Sequence, residues 1–435
     1  MEPLTYTTRH IRRLTKMNNK TQITTAALIV AATAGFATAG SLELDRAYAS
    51  ELKADAGTRS VLNQSNLSNV EVSVGVRFGF AYNSLDGSAV SDDDTTMGFQ
   101  FSDVEVALEG DVTDNMHARV SFQFGPNNSS AGAGGTAVLE DAFVDWAVND
   151  TFSLRVGQFT PAFSSEASTS EFNTVGSYRS VAHESLGAPS WTQGIEAQFG
   201  NDTWAFAIGF NDGPNTASTA FNAGAEADFG INARFDFYSD SDMGRFDDQT
   251  SWRGSAAGWR LGAGVMFASY GSTNPSGAET DSAFFTIDGA YEADGWAVRA
   301  AFYYSDVEDT ATADHSNMGF ELGGSFFFSD QWEGFARWDT IILDDDAGAG
   351  QTTGEDSFNF IALGANYYFV PESHAAKFTI ELGVSLDETA DMTAAAATGD
   401  MGTGVFGANS STGFFQENAT EDGQIMISGT MQWLF

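Results

Sequence analysis

Charged side chains recur at every second position of several apolar segments of this sequence, and that spacing is its clearest chemical signal. In the segment FGINARFDFY, Arg234 and Asp236 alternate with phenylalanines, and a similar alternation surrounds Arg77 and Arg119. A period of two places successive side chains on opposite faces of a β-strand. Each such strand is therefore predicted to have one apolar face and one face with charges of both signs.

Strand faces that carry arginines and carboxylates suit the water-filled lumen of a closed barrel. A constriction lined by both signs sets up a transverse field, in which small polar solutes align while apolar solutes must lose bound water. Because acids exceed arginines on these faces, we expect a weak to moderate cation preference. Any single arginine could instead pair with a cross-strand acid and only fill space. The predicted pore-lining residues are Arg77, Arg119, Arg155, Arg179, Arg234, Arg299, Arg337, Asp141, Asp145, Glu166, Glu171 and Glu184.

Sixteen segments carry the strand pattern, and their connections alternate between short and long. Short connections such as 149–151 and 329–331 alternate with long ones that are rich in Gly, Ser and Asp. Long loops at one end and tight turns at the other are typical of outer-membrane barrels. We therefore predict an all-β fold, a transmembrane antiparallel β-barrel of about sixteen strands with short periplasmic turns and long extracellular loops. The candidate strands are 70–82, 98–112, 115–125, 137–148, 151–159, 191–199, 203–211, 226–239, 256–270, 281–292, 295–307, 317–329, 331–343, 356–370, 375–386 and 423–435.

Tryptophans near the strand ends give a second indication of a membrane. We interpret them as part of an aromatic girdle at the lipid interface. The alternative is a soluble β-sandwich or β-solenoid, in which the apolar faces point into a dry core. Too many apolar faces would then share one core, and strand interiors hold Arg where a soluble surface would favour Lys. The tryptophans concerned are Trp146, Trp191, Trp204, Trp296, Trp332, Trp338 and Trp433.

The N-terminal segment predicts export. A basic start precedes an apolar run over 26–36 and the cleavage motif Ala37-Thr38-Ala39, which together are typical of a secretory signal peptide. A second small-residue motif at 47–49 leaves the cleavage position open between Ala39 and Ala49. The predicted organisation is a signal peptide with an extended N-terminus over 1–39, a short periplasmic helix or coil over 40–69, and the barrel over 70–435.

The composition excludes several classes of protein. The formal net charge is −40, which argues against nucleic-acid binding because phosphate contacts need Lys and Arg. The absence of Cys excludes disulfides and Cys-based metal or redox sites. The acidic loops SDDDTT, SDSDMGRFDD and LDDDAGAGQTTGED are expected to attract divalent counterions diffusely and so to bridge to lipopolysaccharide. A defined metal site is not predicted, since Ala349 stands where an EF-hand loop needs Gly, and no cofactor is predicted.

The chain ends on an apolar strand with two aromatic residues, Trp433 and Phe435. A closed barrel needs its last strand to pair with its first and to face lipid. The terminal MQWLF resembles the C-terminal assembly signal of bacterial outer-membrane proteins. That resemblance implies recognition by the barrel-assembly machinery, and the expected surroundings are outer-membrane lipid and lipopolysaccharide.

A long loop interrupts the strand pattern between 157 and 199. A strand ends in GQF, a Ser- and Glu-rich stretch follows, and a strand resumes at Trp191. This stretch resembles the phosphate-selective porin O/P family at Pro161, Ser164, Ser165, Glu166, Ser170 and the Arg179-Ser180 pair. The resemblance implies a homotrimeric sixteen-stranded barrel whose third loop, here 160–190, folds inward as a constriction. The family lumen is rich in Lys, which is rare in this sequence, so phosphate selectivity is not carried over.

These features predict an outer-membrane porin for passive diffusion of ions and small hydrophilic solutes. A structural or adhesive barrel is the alternative, and the long Gly/Ala/Thr-rich loop before the last strand keeps it open. An enzyme is not predicted, because no G-x-S-x-G occurs and the histidines have no nucleophile motif near them. The histidines beyond the first segment are His117, His183, His315 and His374.

Overall fold

The computed structural model describes residues 70–84, 95–124, 137–214, 216–220, 226–271, 279–309, 314–344, 356–389, 392, 410–414 and 422–435. The predicted signal peptide and the segment 40–69 lie outside these residues, as does most of the acidic loops SDDDTT and LDDDAGAGQTTGED. Within the described part of the chain, no helix is long and apolar enough to cross a membrane.

Antiparallel β-strands form a single closed barrel. Each strand pairs with its neighbours in the sequence, and the first strand also pairs with the last, so the sheet closes on itself. The predicted sixteen-stranded all-β barrel is confirmed, and the predicted strand ends lie within a few residues of the observed ones. The strands are β1 (Val70–Ser84), β2 (Thr95–Thr113), β3 (Met116–Phe124), β4 (Ala137–Asn149), β5 (Phe152–Phe159), β6 (Thr192–Gly200), β7 (Trp204–Asn211), β8 (Phe229–Tyr238), β9 (Gly258–Tyr270), β10 (Thr280–Ala293), β11 (Trp296–Asp309), β12 (His315–Phe327), β13 (Trp332–Ile342), β14 (Ser357–Tyr368), β15 (Ala376–Ser385) and β16 (Ile425–Leu434).

The alternation along each strand sorts side chains between the outside and the inside of the barrel. In β8, Phe235 is 45% exposed on the outer face, whereas Arg234 beside it is 3% exposed on the inner face. In β12, Phe320 and Leu322 are exposed while Glu321 between them is buried. Of the tryptophans predicted for the girdle, Trp146, Trp296, Trp332 and Trp433 are exposed near strand ends. Trp338 is exposed too, but it lies in the middle of β13, opposite Leu322, so the prediction that it belongs to the girdle is wrong. An exposed apolar outer face around a charged interior reverses the arrangement of a soluble protein and is what a lipid-facing barrel requires.

The last residue takes part in the closure of the barrel. The Val74 amide donates to the Phe435 carbonyl oxygen at 2.7 Å, and the Phe435 amide donates to the Val74 carbonyl oxygen at 3.0 Å. Trp433 lies opposite Val76 of β1 and Ala376 of β15. The two terminal aromatic residues are both exposed, on the apolar outer face of the strand that closes the barrel.

A β-bulge at Ser102 changes which side chains of β2 face inward. Arg77 of β1 lies opposite Asp103, while the next residue, Phe78, lies opposite Phe101, so Ser102 has no partner in the register. An extra residue moves those that follow it to the other face of the sheet. Phe101 consequently stays exposed outside, and Asp103 turns inward to within 3.1 Å of the Arg77 guanidinium.

Short turns lie at one end of the barrel and long connections at the other. The turns are 114–115, 150–151, 201–203, 294–295, 328–331 and 369–375. One connection at the turn end is much longer, namely 239–257 between β8 and β9. It contains the acidic stretch SDSDMGRFDD. The expectation that this stretch is an outer loop near lipopolysaccharide is therefore wrong, because β8 ends at the side of the barrel that carries the short turns.

Candidate functional site: a lumen crossed by two segments

Residues 160–190 follow β5 and fold into the barrel; we call them the inward loop. Two short helices, α1 (Ser165–Ser168) and α2 (Val181–Leu186), organise its backbone. The hydroxyls of Ser164 and Ser180 accept hydrogen bonds from backbone amides in the first turns of α1 and α2. Serine at this position caps a helix by satisfying amides that have no partner within it. The serines that interrupt the strand pattern therefore define the local structure of the loop.

The first part of the inward loop is bound by its backbone to the inner wall at β8. Asn232 Nδ2 donates to the carbonyl oxygen of Ala162 at 3.0 Å. Arg234 Nη1 donates to the carbonyl oxygen of Phe163 at 2.7 Å, and the Phe163 side chain is itself fully buried. Backbone carbonyl groups that leave water need such partners, so the wall fixes the path of the loop.

The middle of the inward loop is held against the opposite wall, at β14–β16. Here too, wall side chains bind backbone groups of the loop. The hydrogen bonds are Lys377 Nζ to the Thr174 carbonyl (2.7 Å), Asn366 Nδ2 to the Val175 carbonyl (2.9 Å), Gln432 Nε2 to the Phe172 carbonyl (2.9 Å) and the Ser177 amide to Glu381 Oε2 (2.7 Å). Sequence reasoning gave these wall residues no role, because each is one polar residue within an ordinary strand alternation. With both walls engaged, the inward loop spans the lumen.

Arg337 of β13 binds the inward loop where it turns back across the barrel. Its Nη1 and Nη2 groups donate to the carbonyl oxygens of Tyr178 and Arg179, both at 3.0 Å. Its Nε donates to Asp339 Oδ2 at 3.0 Å, and Asp339 Oδ1 accepts from the Ser180 hydroxyl at 2.8 Å. A guanidinium presents its donors in a fixed planar fork, so one side chain sets both the position and the direction of the loop.

Arg77 plays a similar part on β1. Its Nη1 donates to the Ser177 carbonyl oxygen at 3.0 Å, and its Nη2 donates to the Glu171 carbonyl oxygen. The carboxyl groups of Glu171 and Asp103 lie side by side at this point. Arg77 is 5% exposed and Arg337 is 6% exposed. Both arginines lie on the lumenal face, but the inward loop covers their charges.

Apolar packing holds α2 against the wall of β11–β14. Val181 and Leu186 are each 1% exposed and belong to a cluster with Tyr303 of β11. Burial of an aliphatic side chain of this size stabilises by about 1.5–3 kcal/mol, more than the roughly 1 kcal/mol of an ordinary hydrogen bond. Met392 and Phe414, from the long connection before β16, join the same cluster. The wall contacts of α2 are thus mainly apolar, whereas those of the preceding loop backbone are polar.

One group of charges keeps more contact with solvent. Arg119 of β3 donates to Glu105 at 2.8 Å, to Glu109 at 3.3 Å and to Asp141 at 2.8 Å. The side chains of Arg119, Glu105 and Asp141 are 28%, 23% and 18% exposed. This group lies on β2–β4, where Gln100 of β2 also binds the inward loop: its Nε2 donates to the Tyr178 hydroxyl at 3.3 Å. It is the part of the described inner wall where charges of both signs meet water.

Arg155 of β5 extends this charged region. It forms a bidentate pair with Asp145, with Nε–Oδ1 at 2.8 Å and Nη2–Oδ2 at 3.0 Å, and its guanidinium lies 4.2 Å from the centre of the Phe143 ring. Nearby, Trp191 Nε1 donates to Asp141 Oδ1 at 3.0 Å. The indole of Trp191 therefore faces the lumen, and the prediction that it belongs to the girdle is wrong. Trp191 precedes the first residue of β6, where the strand alternation does not yet set the side-chain direction.

Arginines and acids form ion pairs along the wall of β8–β12. Their geometry allows several hydrogen bonds per guanidinium. The pairs are Arg234–Asp236 (2.6 Å), Arg234–Asp288 (2.8 Å), Arg260–Asp288 (3.3 Å) and Arg299–Glu321 (3.1 Å). Buried pairs of this kind matter mainly because removal of one partner leaves the other charge buried and unpaired.

The inward loop also carries charges of its own. Arg179 donates from Nη1 to the Glu166 carbonyl oxygen at 2.5 Å and from Nη2 to the Thr169 carbonyl oxygen at 2.8 Å. Its Nε lies 3.8 Å from Glu184 Oε1. Burial raises the pKa of Glu184 to about 7, even though the charge of Arg179 acts in the opposite direction. Glu184 is therefore a carboxyl group that changes charge near neutral pH.

A second segment, 239–257, reaches the lumen from the turn end; we call it the strap. Gln249 joins it to the inward loop. The Gln249 amide donates to the Asn173 carbonyl oxygen at 3.1 Å, and Gln249 Oε1 accepts from the Val175 amide at 3.1 Å. The two segments, which enter from opposite ends of the barrel, thus meet inside it.

The strap crosses the turn end of the barrel from β8 towards β14. Trp252 packs edge-on against Tyr368 of β14, with ring centres 4.9 Å apart, and Arg253 lies 3.5 Å from Asp330 in a neighbouring turn. Sequence reasoning missed this segment as a lumenal element. The available signal was the pair of aromatic residues, Phe246 and Trp252, in a connection that should be short and polar.

Solved outer-membrane porins share this architecture. An anion-selective porin from Comamonas acidovorans is 13% identical, with a TM-score of 0.55, and the match covers 84% of this chain and 99% of that chain. OmpF of Salmonella typhi, in complex with daunomycin, is 11% identical, with a TM-score of 0.54 and coverage of 84% and 98%. The outer-membrane channel DcaP of Acinetobacter baumannii is 10% identical, with a TM-score of 0.53 and coverage of 84% and 97%. Identities this low support a shared fold.

Sequence comparison gives the family. No curated protein sequence matches this chain significantly. A family model described as phosphate-selective porin O and P matches residues 72–400, which is more than half of the chain and includes the inward loop, the strap and most of the barrel. This chain therefore belongs to the phosphate-selective porin O and P family, and it is an outer-membrane channel for passive diffusion.

Proposed function

We propose that ions and small hydrophilic solutes cross this channel along the β2–β5 side of the lumen, past a constriction with both arginines and acids. The observation that carries the proposal is the contrast in exposure along the inner wall. The Arg119 side chain is 28% exposed, whereas those of Arg234 and Arg337 are 3% and 5% exposed beneath the inward loop. Solutes have access to the first group, while the covered arginines position the loop that narrows the passage.

The charge of this passage supports a cation preference. Three carboxylates surround Arg119, namely Glu105, Glu109 and Asp141. A lining with excess negative charge raises the local concentration of cations and repels anions. We therefore propose a channel that admits both signs of ion but favours cations.

The reversal potential under a salt gradient tests this proposal. With purified protein in a planar bilayer, we expect stepwise conductance and a cation-side reversal, with a cation-to-anion permeability ratio of roughly two to five. The variant Asp141→Asn removes one partly exposed carboxylate from this passage and should lower this ratio. The variant Asp202→Asn, in an exposed turn, is the matched control and should leave the ratio unchanged. An anion-side reversal would contradict the proposed selectivity, and a folded barrel without conductance would contradict the proposed pore.

Selectivity is also expected to depend on pH through Glu184. Because burial raises the pKa of this carboxyl to about 7, it is mostly neutral at pH 6 and mostly ionised at pH 8. The added negative charge should increase the cation preference as the pH rises across this interval. Reversal potentials at the two pH values measure the effect, and Glu184→Gln should abolish the difference. If the variant keeps the same pH dependence, another group is responsible.

The C-terminal strand is proposed to serve both closure and assembly. Deletion of Phe435 removes its two hydrogen bonds with Val74, so we expect a loss of about 2 kcal/mol in the free energy of unfolding. The variant Phe435→Leu keeps those backbone bonds and should retain stability in refolded protein. In cells, the same variant should reduce the amount of folded barrel in the outer membrane if the aromatic side chain is read by the assembly machinery. Equal amounts of wild type and Phe435→Leu would argue against that recognition.

Three further features belong to this proposal. A homotrimer is supported by solved relatives, one of which is described as a trimer form of OmpT from Vibrio cholerae. The mass of the detergent-solubilised protein tests this oligomeric state.

Export through a cleaved signal peptide is tested by the N-terminal sequence of the mature protein, which should begin after Ala39 or Ala49. Contact of the outer loops with lipopolysaccharide is tested by the change in thermal stability on its addition.

A passive channel needs no catalytic group, and we propose that the protein is not an enzyme. The alternative is a structural or adhesive barrel whose pore is incidental. Met392 and Phe414 favour a channel role for the long connection before β16, since both pack with the inward loop inside the barrel. Deletion of residues 393–409 separates the two functions, because only the channel role predicts a change in conductance.

A further inference from the structure

The inner wall contains a second β-bulge, in β4 at Glu140 and Asp141. Both residues face the single residue Ser121 of β3, because the register shifts between Val120 and Phe122. An extra residue in one strand lets two successive side chains point to the same face of the sheet. Two consecutive carboxyl groups are thereby directed into the lumen, on the wall that borders the proposed passage.

Buried side chains of the neighbouring strands support the backbone of this bulge. The Asp141 amide donates to Ser121 Oγ at 3.0 Å. Gln158 Nε2 of β5 donates to the carbonyl oxygens of Leu139 at 2.9 Å and Glu140 at 2.7 Å. Ser121 and Gln158 are 0% and 5% exposed. A bulge leaves backbone groups without a strand partner, so these hydrogen bonds make it a fixed part of the wall.

The carboxyl group of Glu140 has no cationic partner in the wall. The residue is 6% exposed, and its side chain makes no hydrogen bond or ion pair among the described residues. Other carboxylates of the inner wall have an arginine, as Asp145 has Arg155 and Glu321 has Arg299. Buried polar groups are normally paired. Glu140 is therefore an acceptor that the barrel itself leaves unused.

The charges that act most strongly on Glu140 are all negative. They belong to Glu105, Glu171, Asp141 and Asp103, and the effect of Glu105 is the largest. Glu105 binds an arginine through Oε1, whereas its Oε2 accepts no hydrogen bond within the described part of the chain. Neighbouring carboxylates stay ionised only with a cation beside them, and otherwise one of them takes up a proton.

We propose that Glu140 and Glu105 form a binding subsite for the primary ammonium group of small organic cations. A primary ammonium group has three N–H donors and suits acceptors on two neighbouring carboxylates. Its head is about the size of a water molecule, and the Glu105 side chain is 23% exposed, so the rest of the solute stays in the open passage. A metal ion fits less well, since no group of three or more acidic or histidine residues in the described ranges is arranged to hold one.

This subsite deepens the proposed channel function and rests on it, because the solute reaches Glu140 through the passage. Excess negative charge alone would attract every cation according to its charge. The subsite adds a saturable preference for cations with N–H donors. Weak occupancy there favours entry of such solutes without preventing their release.

The test is the block of potassium current by 1,4-diaminobutane in a planar bilayer. We expect a saturable reduction of the current. The hexamethyl derivative of this diamine carries the same two charges but has no N–H donors, and it should block much less. Glu140→Gln keeps the shape of the side chain and loses its charge, and Glu105→Gln does the same for its neighbour. Each should raise the half-blocking concentration about tenfold, as expected for loss of one charged hydrogen bond.

Glu71→Gln is the matched control. It removes one carboxylate from β1, whose strongest charged neighbours are Glu109, Asp111 and His117 and do not include Glu140. It should leave the half-blocking concentration unchanged. Absence of block in a conducting channel would overturn the proposal, as would equal block by the hexamethyl derivative. Block that Glu140→Gln leaves unchanged would overturn it too, because glutamine mimics a Glu140 that simply keeps a proton.

A second measurement separates this proposal from that of the pore. Equilibrium dialysis with radiolabelled 1,4-diaminobutane reports binding to the folded barrel in a non-ionic detergent, whether or not the barrel conducts. Binding that Glu140→Gln weakens about tenfold supports the subsite even if the bilayer shows no conductance. Absence of binding together with normal conductance overturns the subsite and leaves the channel function intact.

Discussion

Replacement of Arg337 by alanine is expected to destabilise the barrel by about 3–5 kcal/mol and to loosen the inward loop. The change removes the donors for the carbonyl oxygens of Tyr178 and Arg179, and it leaves Asp339, which is 1% exposed, without its cationic partner. The loop then loses its fixed direction across the lumen. We expect a higher mean conductance with larger current noise, together with a lower urea midpoint in lipid vesicles.

Two further variants identify the cause of the effect. Arg337→Ala combined with Asp339→Ala should recover part of the lost stability, because no unpaired charge then stays buried. The conductance of this double variant should remain high, since the carbonyl groups still lack their donors. Arg253→Ala is the control: its partner Asp330 is 78% exposed, and exposed pairs contribute about 0–1 kcal/mol. If Arg337→Ala behaves like Arg253→Ala, Arg337 does not position the loop.

The barrel itself could be predicted because its physical signature is local. Each strand shows which side chains share a face within about ten residues, as in β8, where phenylalanines alternate with Arg234 and Asp236. The bulge at Ser102 could not be read in this way. It exchanges the two faces within one strand, and Phe101 gives no local sign that the pattern changes after it.

The interior was less predictable because its contacts join distant parts of the chain. Lys377 binds the Thr174 carbonyl group, which is 203 residues away in the sequence. A single polar residue in a strand gives no sign of so distant a partner. The alternation along the strands places both Arg119 and Arg337 on the inner face of the barrel. It does not show that the inward loop covers Arg337 and leaves Arg119 in contact with solvent. The strap was missed for a related reason, since its acidic stretch is typical of an exposed loop and Gln249 gives no signal of contact with Asn173.

The outer face should tolerate charge least near the middle of the membrane. Leu322 lies within β12, opposite Ala300 and Trp338 on its two neighbours, and it is 50% exposed on the apolar side. Leu322→Arg would place a guanidinium in the hydrocarbon layer, where the expected cost is about 2–4 kcal/mol. Urea titration of folding into lipid vesicles, followed by tryptophan fluorescence, measures this loss.

A second variant tests whether the loss of stability in Leu322→Arg comes from the depth of the charge in the membrane or from the loss of an apolar side chain. Phe328 follows the last residue of β12 at the turn end and is 59% exposed, so the guanidinium of Phe328→Arg can reach water and headgroups. Its expected cost is about 0–1 kcal/mol, as for charges near the interface. Similar losses for Leu322→Arg and Phe328→Arg would mean that the lipid boundary does not follow the exposed apolar band. A large loss for the first alone places Leu322 within the hydrocarbon layer and Phe328 at its edge, so the exposed apolar band of β12 marks the lipid boundary.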